Sequence, residues 1–90
     1  MKQVLPYIKI DQDENGRIFL VIEDYELFDF IDDFLSEKCD LSYEYRNSID
    51  RVGGEIISMH FPISVSFKDV EESLMTLSSA EIEDIYRLNN

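Results

Sequence analysis

Residues 25–38 read YELFDFIDDFLSEK. Leu27, Phe28, Ile31, Phe34 and Leu35 recur at three- and four-residue spacing, which is the apolar stripe of one amphipathic helix. Glu26, Asp29, Asp32, Asp33 and Glu37 fall on the other side, so the solvent face of that helix is almost purely anionic. Asp24 stands where a helix N-cap belongs. A single stripe has to bury against something, and the sequence on both sides of it reads as strand. That pattern predicts an α+β fold, with the helix laid on a sheet.

Upstream, residues 4–11 alternate around Ile8 and Ile10 and read as a strand, with Pro6 marking an edge or entry position. Asp13-Glu14-Asn15-Gly16 is a turn signal, and residues 17–23 (RIFLVIE) form a second, strongly apolar strand. Loop length sets the register between them. A two-residue Asn-Gly turn places Ile10 opposite Val21 and scatters the isoleucines over both faces. A three-residue loop with Gly16 left-handed places Ile10 opposite Leu20 and Ile8 opposite Ile22, gathering Ile8, Ile10, Ile18, Leu20 and Ile22 on one face. The second register is preferred, and Phe19 and Val21 then need partial cover on the opposite face.

Downstream, Leu41, Tyr43 and Tyr45 alternate with Ser42, Glu44 and Arg46 and predict a third strand. Residues 47–54 read as a polar connection closed by Gly53-Gly54. Residues 55–61 (EIISMHF) predict a fourth strand with Ile57, Met59 and Phe61 inward. Beyond Pro62, the alternation of Ile63, Val65 and Phe67 allows a short fifth strand. Ser66 with Asp69, then Val70, Leu74 and Leu77, opens a helical segment. Ser78 with Glu81 has capping-box spacing before Ile82, Ile85 and Leu88, so the segment is one bent helix or two short ones. The expected architecture is an antiparallel sheet of four to five strands covered by the central helix and a C-terminal helix, in the order ββαββ(β)α.

Ninety residues, 44% of them hydrophobic, make one domain (1–90) with material for a core. The net charge is −12, from 20 acidic against 8 basic side chains. Such a charge repels nucleic acid and anionic membranes and attracts basic partners. One cysteine excludes an internal disulfide and fits a reducing compartment. Cys39 follows the helix end beside Asp40, which disfavours a thiolate. The N-terminus has no secretory signal pattern, and no apolar run is long enough to span a membrane. A cytoplasmic protein is the expectation.

No stretch carries a strong catalytic or cofactor motif. Asp11 to Ile18 matches the first eight positions of a calcium-binding EF-hand loop, but Ile22 stands where the bidentate glutamate belongs and the flanks read as strands. An acidic hairpin turn is the better reading, and no metal is expected. His60 is the lone histidine and has no Cys/His cluster around it. It reads as a hydrogen-bonded or surface side chain on the face of Ile56 and Ser58. Gly53-Gly54 lacks the lysine and the further glycines of a phosphate loop and reads as a turn. Tyr43 and Tyr45 alternate as a core face would; read functionally, they form an aromatic contact patch.

The acid face of the helix is therefore the candidate site. Natural surfaces mix signs, and a charge run is ordinarily just a solvated face, but this one has few neutralising lysines at helical spacing. Glu71, Glu72, Glu81, Glu83 and Asp84 form a second anionic cluster. In size, charge and the pairing of an acid helix (Glu26, Asp29, Asp32, Asp33, Glu37) with a small sheet, the chain resembles the small acidic immunity proteins of bacterial toxin systems, including those of contact-dependent growth inhibition. The resemblance implies a stoichiometric cytoplasmic inhibitor rather than an enzyme. Its partner would be a basic toxin domain, most simply a nuclease, whose nucleic-acid surface it masks. Glu26, Asp29, Asp32, Asp33 and Glu37, with Tyr43 and Tyr45, are the expected contacts, and no cofactor is implied. Two alternatives stay open: an acidic nucleic-acid mimic aimed at a DNA-binding protein, and a small regulatory module that dimerises through a sheet edge.

Overall fold

A computed structural model of the chain describes residues 1–88. Five strands, β1 (Lys2–Leu5), β2 (Ile8–Gln12), β3 (Ile18–Ile22), β4 (Tyr45–Arg51) and β5 (Gly54–His60), form one antiparallel sheet in the spatial order β1-β2-β3-β5-β4. Helix α1 (Tyr25–Lys38) connects β3 to β4, and α2 (Phe67–Leu74) and α3 (Ser79–Leu88) follow β5. The fold is α+β.

Alternation along the strands sorts the side chains onto two faces. Ile8, Ile10, Ile18, Leu20, Ile22, Ile57 and Met59 point to the helical side and form one buried cluster with Leu27, Phe28, Ile31 and Leu35 of α1, Val70 and Leu74 of α2, and Ile82 of α3. Burying each Leu or Ile side chain removes it from water at a gain of about 1.5–3 kcal/mol, which makes this cluster the main source of stability. No helix among the described residues packs on the opposite face. Phe19 and Val21 there are half-buried, as the first hairpin required, and the cover for Phe19 comes from within the sheet, where it stacks on His60.

The β2–β3 hairpin has the expected register, with Ile8 opposite Ile22 and Ile10 opposite Leu20. The Asp13 N–H donates to the Arg17 carbonyl, so three residues form the loop, and Gly16 takes φ 82°. A residue with a Cβ is strained at that angle.

Several expectations are corrected. Residues 4–11 are not one strand: the chain breaks at Pro6-Tyr7, and Tyr7, at φ 65°, reverses it so that β1 pairs back on β2. The fifth strand is thus at the N-terminus. Residues 63–65 form a turn leading into α2 and not a strand. The third strand is shifted in sequence. Leu41 and Tyr43 lie in the connection after α1, and β4 occupies residues 45–51, most of what read as a polar loop. The connection is instead the tight turn at Val52-Gly53, with Gly53 at φ 95°. Of the two readings of the C-terminal segment, the structure takes the two short helices, α2 and α3. Leu88 is exposed and not inward.

Candidate functional site

The N-terminus of α1 is held by Asp24, whose Oδ2 accepts the Leu27 N–H at 3.0 Å. Glu26 in the first turn and Lys38 in the last both suit the helix dipole. Leu27, Phe28, Ile31 and Leu35 are buried, which fixes the roll of the helix about its axis. At the far end Asp40, at φ 57°, turns the chain so that the Leu41 N–H donates back to the Leu35 carbonyl at 2.8 Å. The helix is thus anchored at both ends and along one side.

With that roll set, Glu26, Asp29, Asp33 and Glu37 are exposed and Asp32 is half-buried. At 1.5 Å per residue the row from Glu26 to Glu37 runs about 16 Å. Among the described residues six ion pairs form within 4 Å, and none involves these five carboxylates. Burial pushes the Asp32 carboxyl above its usual range, and its neighbours Asp33 and Asp29 push it the same way; Arg46 opposes them. That arginine lies over the Phe28 ring at 5.0 Å and the Tyr25 ring at 5.7 Å, which ties it to the same helix.

The second anionic cluster is different in kind. Glu71 pairs with Lys2, Glu72 with Lys68 and Asp84 with Arg87, so much of it is neutralised locally. The acid face of α1 is the concentrated one, with no ion pair among the described residues.

The two tyrosines do not form one patch. Tyr43 is half-buried and packs at a tilt on Phe28, 5.8 Å between ring centres, beside α1. Tyr45 is 44% exposed and belongs to the other side of the sheet, so the core reading fails for it. There it stacks on His60 at 4.4 Å, with Arg17 at 5.7 Å over its ring. Sequence reading missed a feature beside the acid row: half-buried Phe30 and Phe34 line a shallow groove with Asp33, Glu37 and Lys38. Their i, i+4 spacing on the border between stripe and acid face was the available signal.

The acidic turn uses its carboxylates internally. Asp13 Oδ1 accepts the N–H groups of Asn15 and Arg17 at 2.9 and 3.0 Å, and Asp11 Oδ1 accepts that of Gln12 at 2.8 Å. Among the described residues no three His, Cys, Asp or Glu side chains converge as metal ligands. His60 Nε2 lies 3.1 Å from Ser58 Oγ, on the face predicted for it, and its buried Nδ1 has no hydrogen-bond partner among the described residues. Burial lowers its pKa, with Arg17 adding to the effect and Asp13 opposing it. No helix among the described residues is long and apolar enough to cross a membrane.

What this surface can do chemically is bind cations by charge and by hydrogen bonds to carboxylates, along a rigid row with an apolar groove at its border. Comparison with family profiles, with curated proteins and with solved structures gives no match.

Proposed function

We propose that the protein is a stoichiometric inhibitor that binds a basic protein through α1, in the manner of the bacterial immunity proteins it resembles. The partner in that reading is a cytoplasmic toxin domain, most simply a nuclease, whose cationic nucleic-acid surface the acid face covers. The protein itself performs no catalysis. One observation carries the reading: among the described residues, none of the five carboxylates on a firmly anchored helix has an ion-pair partner, whereas Asp11, Glu23, Glu44, Glu71, Glu72 and Asp84 do. Leaving like charges side by side costs stability, and a cationic partner removes that cost on binding. The groove of Phe30 and Phe34 supplies the apolar contact that charge alone does not, since buried apolar anchors dominate interface energies.

The test is capture from native lysate at low salt with the wild-type protein and with a variant carrying Asp29→Lys, Asp32→Lys and Asp33→Lys. The expected result is a basic protein, held stoichiometrically by the wild type, silenced while held, released as salt rises and absent from the variant. A partner retained equally by the variant would make the helix face a bystander.

A further inference from the structure

The two edges of the sheet are built differently. β1 is four residues long and bulged between Gln3 and Leu5. Short length and bulges are how proteins blunt an edge against pairing. β4, the other edge, runs seven residues in regular register against β5, contains neither proline nor lysine, and is exposed throughout.

Main-chain directions on β4 follow from the ladder. The Phe61 N–H donates to the Ile18 carbonyl, which turns the main-chain groups of Ile57 and Met59 towards β3 and those of Ile56, Ser58 and His60 towards β4. Their partners Ile49, Asn47 and Tyr45 answer inward. Arg46, Ser48 and Asp50 therefore direct their N–H and C=O groups outward, to an open edge.

We propose that β4 is a self-association edge, on which a second copy of this chain pairs antiparallel about Ser48 and joins the two sheets into one. In that register Ser48 faces its own equivalent and Arg46 faces Asp50 of the second copy, twice by symmetry. These are the positions whose main-chain groups point outward, so hydrogen bonding and charge select the same alignment. A slip of two residues in either direction sets Arg46 opposite a residue other than Asp50 and shortens the overlap. On the helix-free face the register brings Ile49, 66% exposed in the single chain, diagonally against Ile49 of the second copy.

Charge favours the same occupant. Residues 45–60 hold two arginines, one aspartate and one glutamate and are neutral, so the remaining chain carries the whole −12. Two strongly acidic molecules approach most easily through that hairpin. This inference is independent of the inhibitor reading, because it uses the sheet edge and not the acid row.

Sedimentation equilibrium of the full chain tests it, at about 0.15 M salt where a Debye length of about 8 Å screens the long-range repulsion. The mass should rise with concentration from 10.6 kDa towards twice that value. Asp50→Arg sets two arginines face to face and should weaken dimerisation about tenfold or more. Arg46→Asp does the same with two aspartates, while an equimolar mixture of the two variants should associate, since each copy then offers what the other lacks. Ser48→Pro removes an outward N–H without touching the β5 ladder, and should also abolish the dimer. Asp50→Arg and Ser48→Pro keep the test decisive should Arg46→Asp fail to fold, since that arginine covers Phe28. A wild-type chain that stays monomeric at millimolar concentration overturns the proposal, as does an Asp50→Arg or Ser48→Pro variant that dimerises like the wild type.

Discussion

Asp32 stands between two other carboxylates on α1 and is the least exposed of the acid row. Its folded pKa is raised, first by burial and then by Asp33 and Asp29. The folded state therefore binds this proton more tightly than the unfolded chain does. The cost is present at neutral pH and is relieved as pH falls through the folded pKa towards the unfolded value near 4. Asp32→Asn should stabilise the protein at pH 7, by no more than about 0.5 kcal/mol because solvent still reaches and screens this half-buried group, and the gain should vanish on acidification. Urea midpoints at the two pH values measure it; a variant less stable at pH 7 would mean that Arg46 outweighs the repulsion. His60 is the opposite case. Its depressed pKa means that the unfolded state binds the proton more tightly, so stability is complete above the unfolded value near 6.5 and falls as pH drops below it. An NMR titration of the imidazole should give a midpoint below 6.5, and one above it would show that Asp13 prevails over burial.

The elements stand or fall on a few contacts each. Asp24 accepts the Leu27 N–H at the start of α1, and Asp24→Ala should cost about 1 kcal/mol in urea unfolding, with Asp24→Asn retaining most of it. If the alanine variant is as stable as the wild type, α1 is held by its packed side alone. This cap, the stripe of α1 and the first hairpin were legible in the sequence because each is set by local spacing: three and four residues along the helix, three residues in the loop. β4 was not legible, because YRNSIDR is exposed on both faces and so has no apolar alternation to read. The alternation of Leu41 and Tyr43 came from a connection packed against α1, with Tyr43 on Phe28. The break that creates β1 was hidden for another reason. A bulky tyrosine at φ 65° goes against local preference, and it is accompanied by a stack on Tyr86, 3.7 Å away and far along the chain. The acid row was visible as a pattern. That it has no ion pair among the described residues, while Glu71, Glu72 and Asp84 do, depends on where Lys2, Lys68 and Arg87 end up.

For the whole molecule the net charge links stability and binding with opposite signs. At −12 the folded chain repels itself, and compactness brings the charges closer than unfolding leaves them. Raising ionic strength from about 0.01 to 0.15 M shortens the screening length from about 30 to 8 Å, so the unfolding midpoint should rise with salt. Affinity for a basic partner should fall over the same range. The variant with Asp29→Lys, Asp32→Lys and Asp33→Lys gains two charges at each of three positions, which takes −12 to −6. It should be more stable than the wild type at low salt, respond less to added salt, and yet associate more slowly with the partner. Circular dichroism melts at several salt concentrations measure the first two effects and stopped-flow mixing the third. Because the variant is expected to fold better while binding worse, lost binding could not be ascribed to unfolding. A variant less stable at low salt would instead mean that these carboxylates are held by favourable contacts within the fold, and that the acid face is structural rather than kept for a partner.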